Sequence, residues 1–235
     1  MDFPFDEISN FTNGYAIVKI DGRWGVINTN GEFIVQPRYN DVFFLSKEDK
    51  TFVIEKDNGK FVVTDTKGHL SEEFDEIHTV SSTLFPVRIE EEWGAIDYLG
   101  NIIVPLGKFD CIYSFFKTDN NELFGVISDG VNLGLIDKDS NVIIPYEYGY
   151  EDIMWVDNNT IITKKDGLCG VIDRNNNIIV PFNYDFIDFL VDGFRFAQKG
   201  KKWTYIDERG NHLELKNYEP SNIRYISDRL NKVVG

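Results

Sequence analysis

The sequence contains few of the residues that most often carry chemistry. Of its 235 residues only 2 are cysteine, 2 are methionine and 3 are histidine. Cys111 and Cys169 lie at unlike positions of the chain, which argues against a disulfide framework or a zinc-binding spacing. His69, His78 and His212 accompany no HExxH or Cys-His pattern, so we expect all three at the surface.

Nucleotide-binding and hydrolase motifs are also missing. The sequence has no GxGxxG, P-loop or GxSxG segment, each of which would place a phosphate or a nucleophile at a defined turn. The segments that begin at Asp137 and Asp173 resemble the opening of a calcium loop, but each lacks the glycine at the sixth position and the acidic residue at the twelfth. We expect both segments to be hairpin turns, and we predict no catalytic residue, cofactor or metal.

Long apolar runs and positive charge are scarce as well. No run approaches the ~20 residues that span a membrane, and the amino terminus MDFPFDEISN shows no secretory signal, so we expect a cytoplasmic protein. Lys and Arg number 24 against 39 Asp and Glu, a net charge of −15. This acidity disfavours nucleic acids and anionic membranes and favours a basic partner. The alternative explanation is that the acidity serves only to solvate a small β-protein.

The main feature of the sequence is one pattern repeated along almost its whole length. Asp21–Val42 contains a DG turn, a Trp-Gly pair, a second turn closed by glycine, an apolar run, a proline and an aromatic-polar-x-aliphatic tail. The tail aromatics are Phe5, Tyr39, Phe74, Phe109, Tyr150, Tyr184 and Tyr218, with steps of 34, 35, 35, 41, 34 and 34 residues. A period this constant indicates a repeat architecture. The long step predicts an enlarged loop around Asp119–Asn132.

Two turns in each repeat predict an antiparallel meander. Dipeptides suited to type I′ hairpins are Asp21-Gly22, Asn58-Gly59, Asp129-Gly130 and Asp166-Gly167. The second turn closes on Gly31, Gly68, Gly100 and Gly210, for which we expect positive φ. Ser140 and Asn176 replace this glycine in two copies, and we expect the Ser140 turn to be altered. The strands between turns are apolar at odd and even positions, which indicates burial of both faces.

The sequence therefore predicts an all-β protein of six tandem meanders in a single domain, residues 1–235. The repeats lie near residues 3–37, 38–72, 73–107, 108–147, 148–182 and 183–216, and residues 217–235 form a degenerate C-terminal cap. We favour an open β-solenoid or superhelix, because roughly 34 residues is short for a four-stranded propeller blade and the atypical last repeat suits a polar cap. The alternative is a closed, propeller-like ring of six blades.

With this pattern the chain resembles the WG-repeat family of bacterial proteins, whose core reads roughly G-x-A-x-V, G-K-W-G-x-I-D, G-x-x-V-I-P and Y-D-x-I. The structural repeat positions that carry the resemblance, with their apolar replacements, are Trp24, Gly25, Phe61, Trp93, Gly94, Leu133, Gly134, Cys169, Gly170 and Trp203. Val62 and Thr204 depart from the pattern at the glycine position. The resemblance implies a β-repeat scaffold and carries no assigned activity.

We expect a non-enzymatic, protein-binding scaffold, of which an inhibitory or immunity-type binder of a basic protein is one form. Candidate contacts are the turns on one rim, the loop near Asp119–Asn132 and the off-pattern pair Met154 and Trp155, since interfaces favour Trp and Met. The alternative is a glycan-binding module that uses exposed aromatic residues. The repeat-slot residues Trp24, Trp93 and Trp203 are expected to be buried instead, because Phe, Leu and Cys replace them elsewhere.

The acidic pairs have a similar explanation in the repeat. Asp6/Glu7, Glu72/Glu73 and Asp75/Glu76 supply carboxylates at repeat positions, whereas a catalytic dyad would belong to one unique place. We therefore expect them to be solvated loop residues. The sequence predicts no oligomeric state.

Overall fold

A computed structural model describes residues 5–46, 50–79, 83–118, 120–156, 159–188, 190 and 193–212. These residues form 22 β-strands and one 3₁₀ helix, Tyr146–Tyr148, and include no α-helix. The strands are β1 (Glu7–Ile8), β2 (Tyr15–Ile20), β3 (Arg23–Asn28), β4 (Phe33–Tyr39), β5 (Asp41–Ser46), β6 (Thr51–Glu55), β7 (Phe61–Thr64), β8 (Glu76–Ile77), β9 (Phe85–Ile89), β10 (Glu92–Ile96), β11 (Ile102–Phe109), β12 (Cys111–Lys117), β13 (Leu123–Ser128), β14 (Leu133–Asp137), β15 (Val142–Ile144), β16 (Asp152–Val156), β17 (Thr160–Lys165), β18 (Leu168–Asp173), β19 (Ile178–Tyr184), β20 (Phe186–Ile187), β21 (Phe194–Lys199) and β22 (Lys202–Asp207).

The described strands form six antiparallel sheets that follow one another along the chain. Sheets one, three, four and five each have four strands, β1–β4, β8–β11, β12–β15 and β16–β19, whereas sheet two (β5–β7) and sheet six (β20–β22) have three. One sheet ends and the next begins around the tail aromatic residue, as at Tyr39, where β4 ends before β5 begins at Asp41. The predicted all-β architecture of six antiparallel meanders is confirmed.

The sheets fall into two compact units divided between Tyr150 and Glu151. The first unit contains sheets one to four, and the second contains sheets five and six. Their cores lie between neighbouring sheets. Val26 of sheet one packs with Phe52 of sheet two, and Val180 of sheet five packs with Ile206 of sheet six. Burial of both strand faces explains why the strands are apolar at odd and even positions alike.

The glycine of the Trp-Gly pair lets the outer strand cross close to its neighbour. Between β3 and β4 the pairing changes from Trp24–Tyr39 to Val26–Val35, so β4 bulges at this point. A Cβ on Gly25 would lie 2.5 Å from the carbonyl oxygen of Val35. Because real Cβ atoms do not approach a backbone oxygen so closely, only glycine fits beneath the bulge.

The same close approach recurs in the third and fourth sheets. A Cβ on Gly94 would lie 2.7 Å from the Val104 carbonyl oxygen, and one on Gly134 would lie 2.6 Å from that of Ile144. The repeated glycine is therefore a steric requirement of the outer strand.

The second sheet shows the arrangement without that glycine. Val62 stands in the slot, and its side chain is 4% exposed. Beyond β7 the following chain meets the sheet at two isolated bridges, Phe61–Phe74 and Thr64–Leu70. The N–H of Ser71 also donates to the Val63 carbonyl oxygen at 2.9 Å. The following segment therefore runs beside β7 without forming a bulged outer strand, and the valine side chain stands where sheets one and three have glycine.

The second turn of each repeat is held by its first residue. In the fifth repeat Asp173 Oδ1 accepts hydrogen bonds from the backbone N–H groups of Asn175 and Asn177, both at 2.8 Å. The amide Nδ2 of Asn177 also donates to Asp173 Oδ2 at 2.7 Å. Turns of this kind begin at Asn28, Asp65, Asp97, Asp137, Asp173 and Asp207. The expectation that the Asp137 and Asp173 segments are hairpin turns is confirmed, and we call all six the Asx turns.

The closing residues of these turns have the expected backbone conformation. Positive φ occurs at Gly31 (81°), Gly68 (82°), Gly100 (86°) and Gly210 (83°). Ser140 has φ 63° and Asn176 has φ 65°. The expected alteration at Ser140 is therefore wrong: serine takes the left-handed conformation, because the hydrogen bonds of Asp137 hold the turn around it.

Each of three Asx turns contacts the sheet that precedes it in the chain. A Cβ on Gly100 would lie 2.6 Å from Ser71 Cβ, and one on Gly210 would lie 3.2 Å from Val180 Cγ2. The carbonyl oxygen of Ser140 accepts a hydrogen bond from Lys108 Nζ at 2.7 Å. The turns thus take part in stacking the sheets.

The type I′ prediction holds for two of the four dipeptides. Both residues have positive φ at Asp21-Gly22 (48° and 77°) and at Asp166-Gly167 (51° and 76°). At Asn58-Gly59 only Gly59 has positive φ. Its N–H donates to the carbonyl oxygen of Lys56, which closes a longer loop.

The prediction is also wrong at Asp129-Gly130. The N–H of Asp129 donates to the carbonyl oxygen of Asn132, so Gly130 and Val131 occupy the centre of that turn. Of the two predicted residues only Gly130 has positive φ, at 93°.

The enlarged loop expected around Asp119–Asn132 is not found. Residue 119 lies outside the described residues, and the N–H of Thr118 donates to the carbonyl of Glu122 in a closed turn. Strand β13, Leu123–Ser128, fills most of the remaining segment. The extra length of this repeat instead lengthens β12, which has 7 residues where the first strands of the other sheets have 2 to 6, and includes the 3₁₀ helix after β15.

Candidate functional site

One of the six Asx turns is apolar where the others are polar. The two residues that follow the Asx position are Thr29-Asn30, Thr66-Lys67, Lys138-Asp139, Arg174-Asn175 and Glu208-Arg209 in five copies. In the third copy they are Tyr98 and Leu99, which are 37% and 47% exposed. Ile102 and Ile103, which begin β11, are 37% and 45% exposed. We call these four exposed apolar residues the third-turn patch.

Leu70 extends this apolar surface toward the second sheet. Its side chain is 60% exposed, and Leu70 and Leu99 line one cleft of about 390 Å³ together with Asp65, His69 and Asn101. The contact of the third Asx turn with Ser71 brings the two leucines together. The third-turn patch and Leu70 together therefore span two neighbouring sheets of the first unit.

A second cleft, of about 440 Å³, opens on the other side of Leu70. It lies beside β7, where the second sheet lacks an outer strand. Its lining residues are Arg38, Tyr39, Lys56, Asp57, Asn58, Val62 and Leu70. We call this space the Arg38 cleft.

Two of the charges in the Arg38 cleft are neutralised by neighbours. Lys56 pairs with Glu73, and Asp57 pairs with Arg23, whose Nη1 lies 2.6 Å from the carboxylate oxygen Oδ1. The hydrogen bond from Lys56 lowers the pKa of Glu73, and Asn58 adds to this effect.

The guanidinium of Arg38 is held by Tyr39. Its Nη2 donates to the tyrosine hydroxyl oxygen at 3.0 Å, and its central carbon lies 5.2 Å from the ring centroid. Among the described residues no carboxylate forms an ion pair with Arg38. The cleft therefore carries one cation whose charge is not neutralised by a neighbour.

The acidic residue of the repeat tail caps the first hairpin turn. Asp6 Oδ2 accepts a hydrogen bond from the N–H of Gly22 at 3.3 Å, and Asp75 Oδ2 accepts one from Glu90 at 2.6 Å. Equivalent bonds join Glu151 to Gly167 and Asp185 to Gly200. Asp6 and Asp75 lie outside the strands, as expected for solvated loop residues, and each also satisfies a turn N–H.

The histidines differ from one another in exposure. The side chain of His69 is 77% exposed, and His212 is also exposed. The prediction of a surface position is wrong for His78, which is half-buried: its Nε2 lies 2.7 Å from Glu76 Oε1, and its ring centroid lies 5.0 Å from that of Trp93. The hydrogen bond with His78 lowers the pKa of Glu76, and Arg88 contributes further.

The cysteines are unsuited to nucleophilic chemistry. Burial raises the pKa of the Cys111 thiol, and the charge of Glu76 raises it further. Burial likewise raises the pKa of Cys169. Both thiols are therefore held in the protonated, less reactive form.

Metal-binding clusters and membrane-spanning helices are also missing from the described residues. No group of three or more His, Cys, Asp and Glu side chains in this part of the chain could hold a metal ion. Of the described segments, none forms a helix with the length and apolar character needed to cross a membrane.

The sequence profile described as "WG containing repeat" matches residues 3–24, 24–61, 93–127 and 170–203, which together make up more than half of the chain. The chain belongs to this family. The matches include the Trp-Gly pairs of the first and third repeats, and the glycine of the fifth, Gly170. A comparison of this WG-repeat protein with curated proteins finds no match.

Several solved structures resemble this chain at low sequence identity. A structure titled "Crystal structure of the eukaryotic initiation factor" has a TM-score of 0.50 at 11% identity, over 86% of this chain and 62% of that one. Kluyveromyces lactis Hsv2 gives a TM-score of 0.40 at 10% identity, with 89% and 77% covered. The WD40 beta propeller domain of Doa1 gives 0.34 at 10%, with 91% and 82% covered. The WG-repeat chain thus spans about three-fifths of the initiation-factor chain, and the likeness concerns the fold alone.

The tryptophans of the WG pairs are less buried than expected. Trp24, Trp93 and Trp203 are half-buried. Trp24 packs against the core of sheets one and two, while Lys19 Nζ lies 4.9 Å from its ring centroid. Trp203 stacks on Phe196 at a centroid distance of 4.5 Å. The predicted full burial is wrong, because the slot lies at a strand end, where one side of the ring stays open.

The other predicted positions are distributed over the sheets. Phe61 and Leu133 are half-buried in the Trp slot, whereas Cys169 is buried there. A Cβ on Gly170 would lie 2.7 Å from the ring of Phe182. In β16, Met154 is exposed, and its Sδ lies 3.6 Å from Cys169 Sγ; the side chain of Trp155 lies outside the described part of the structure.

Sequence reasoning missed the third-turn patch, although a signal was present. Aligning the six Asx turns shows Tyr98 and Leu99 where five copies are polar. Val62 was visible as a departure from the repeat, but the cleft beside it required the structure.

Proposed function

We propose that this WG-repeat chain is a non-enzymatic scaffold that binds a protein partner through the third-turn patch and Leu70. The observation that carries this proposal is the exposure of Tyr98 and Leu99 at a turn whose two central residues are polar in the other five copies, with Leu99 sharing a cleft with the exposed Leu70. Large apolar side chains exposed together in this way are typical of protein interaction sites.

The favoured partner is a basic protein. Residues 1–150 contain 12 Lys and Arg against 26 Asp and Glu, a net charge of −14, whereas residues 151–235 contain 12 against 13. The acidity thus lies almost entirely on the unit that carries the patch. Complementary charge would accelerate encounter with a basic partner, and apolar contact would then slow its release. An inhibitory or immunity-type role fits this chemistry.

The absence of enzymatic activity is part of the proposal. The tail carboxylates Asp6 and Asp75 cap turns, and Glu76 is bound to His78 and Arg88. The thiols of Cys111 and Cys169 have raised pKa values. The carboxylates are thus engaged in structural contacts, and the thiols are held in the protonated form.

The test compares what the full-length protein captures from a lysate of its source cell before and after the patch is made polar. The double variant Tyr98→Thr, Leu99→Asn gives the third turn the polarity of the other five. Ile178→Thr is the matched control, because Ile178 is 61% exposed in the second unit. We expect wild type and control to retain the same basic protein and the double variant to lose at least about tenfold of it, as is common when central apolar contacts are removed.

Capture of the same proteins by the double variant at undiminished yield would contradict the proposal. Retention of glycans in place of proteins, lost with the same variant, would instead identify the glycan-binding alternative.

A further inference from the structure

We infer that the Arg38 cleft binds the free C-terminal carboxylate of a peptide that ends in an aliphatic residue. This inference rests on the proposed protein-binding function and names the chemistry of one part of the partner. Its starting point is the cleft of about 440 Å³ beside β7. This cleft contains no residue of the third-turn patch, and it shares only Leu70 with the surface proposed above.

The cleft lies beside a position where the sequence departs from the repeat. In sheets one and three the outer strand bulges over Gly25 and Gly94. In sheet two Val62 stands at that position, and the following chain meets β7 at two bridges and through a hydrogen bond from the N–H of Ser71 to the Val63 carbonyl oxygen. The N–H and carbonyl groups of Phe61 already exchange hydrogen bonds with Phe74. A ligand here would therefore be held by side chains, not added as a new strand.

The charge of the cleft is opposite to that of the unit around it. Lys56 and Asp57 are neutralised by Glu73 and Arg23, respectively. Arg38 remains as a cation without a carboxylate partner among the described residues, on a unit whose net charge is −14. A guanidinium binds a carboxylate through two parallel hydrogen bonds, so Arg38 is a suitable anchor for one.

Tyr39 positions the Arg38 guanidinium and can itself donate a hydrogen bond to a carboxylate. Its hydroxyl oxygen accepts a hydrogen bond from Arg38 Nη2 at 3.0 Å, which leaves the hydroxyl proton to be donated elsewhere. The ring beneath the guanidinium restricts where it can move. Arginine and tyrosine can thus donate to the same anion from adjacent positions.

The remaining lining selects an aliphatic side chain. Leu70 supplies the accessible apolar surface, since it is 60% exposed although leucine is usually buried. A terminal residue places its side chain and its carboxylate on the same carbon atom. One terminal Leu, Ile or Val can therefore contact both Arg38 and the apolar surface.

The experiment measures binding of a synthetic, N-terminally fluorescein-labelled pentapeptide, Gly-Ser-Gly-Ala-Leu, to the full-length protein by fluorescence anisotropy. The free acid is compared with the C-terminal amide, and with an amide in which an internal Asp carries the only carboxylate. Unlabelled N-acetyl-leucine serves as a competitor that lacks the peptide. We expect the free acid to bind at least about tenfold more tightly than either amide, as loss of a charge-assisted bidentate contact predicts, and more tightly than N-acetyl-leucine.

Protein variants then assign the contact to Arg38. Arg38→Gln should weaken binding of the free acid to the level of the amide, and Arg38→Lys should restore part of it. Leu70→Ser should weaken both peptides by a similar factor. Arg209→Gln, an exposed position in the sixth Asx turn, is the matched control and should change nothing. Circular dichroism melting shows whether each variant is folded.

Three results would overturn the inference: no binding of the free acid, equal binding of acid and amide, or no effect of Arg38→Gln in a folded protein. Equal binding of the internal-Asp peptide would assign the site to acidic side chains in place of a C terminus. If any of these occurs while lysate capture still depends on Tyr98 and Leu99, the C-terminal site is wrong and the proposed scaffold function stands.

Discussion

At the scale of single residues, a missing side chain determines where the outer strand can run. Gly25 and Gly94 lie beneath backbone oxygens that no Cβ could approach, and Val62 occurs in the sheet where the outer strand is absent. The two residues of the Trp-Gly pair therefore meet two separate structural requirements. The aromatic position tolerates Phe61, Leu133 and Cys169 because it needs only apolar packing, whereas the glycine position is set by backbone contact.

This contact predicts the effect of one methyl group. Gly94→Ala would place Cβ 2.7 Å from the Val104 carbonyl oxygen, so we expect about 1–3 kcal/mol of destabilisation, as for other overpacked sites. Gly22→Ala is the control, because nothing lies within 4 Å of its Cβ and only its positive φ adds a cost of about 1 kcal/mol. Urea unfolding measures both. An equal loss of stability in the two variants would show that steric contact with β11 is not the cause.

At the scale of the element, most turns could be predicted from local chemistry. The Asx turns follow from one side chain and one left-handed closing residue, both visible in the sequence. Asn58-Gly59 could not be predicted in the same way, because a longer loop also ends on glycine and the dipeptide does not show which residue takes positive φ. Asp129-Gly130 failed because the turn is displaced by one residue, a shift that depends on strand pairing and not on the dipeptide.

The Asx turns also predict how stability depends on pH. The side-chain amide of Asn177 and then the backbone N–H groups of Asn177 and Asn175 lower the pKa of Asp173. Asn211 lowers the pKa of Asp207, although burial opposes it. A carboxyl group whose pKa is depressed by folding stabilises the protein above its unfolded pKa of about 3.9, and this contribution is lost as pH falls through the folded value.

We therefore expect the melting temperature to fall as pH is lowered from about 5 to about 2. The double variant Asp173→Asn, Asp207→Asn should be less stable at pH 7 and should lose part of this dependence. Glu208→Gln changes an exposed residue of the same turn and serves as the control. A pH profile of the double variant parallel to that of wild type would mean that these turns do not contribute to acid sensitivity.

At the scale of the whole molecule, charge is distributed unevenly. Residues 1–150 carry a net charge of −14 and residues 151–235 carry −1. Like charges at this density repel one another in the folded state, and salt screens them over about 10 Å at 0.1 M. We expect the melting temperature at pH 7 to rise by several degrees between about 0.01 and 0.3 M KCl. Sucrose at matched osmolality is the control, and an unchanged or lower melting temperature in KCl would contradict the expectation.

How much of the molecule could be predicted depends on whether a property repeats. Strand identity, sheet order and turn conformation recur every ~34 residues and could therefore be read from the pattern. The candidate sites occur where the pattern breaks, at Tyr98, Leu99 and Val62. A break in the repeat shows that a position differs from its equivalents but does not show what the different residue contacts. That the cleft beside Val62 also contains Arg38 and Tyr39 depends on the contact between sheets one and two, which no local signal contains. The expected open row of sheets stays a prediction.

The contacts between Asx turns and sheets have a consequence for synthesis of the chain. The Gly100 turn lies against Ser71, the Ser140 turn against Lys108 and the Gly210 turn against Val180, so in each case the turn meets a surface made earlier in the sequence. Because neighbouring units in repeat proteins stabilise one another in order, and domains emerge from the ribosome starting at the N terminus, the surface that receives each turn is complete before the turn is translated. The nascent WG-repeat chain can therefore consolidate one sheet at a time, and a ribosome that pauses between repeats would hold a chain whose synthesised sheets are already stacked.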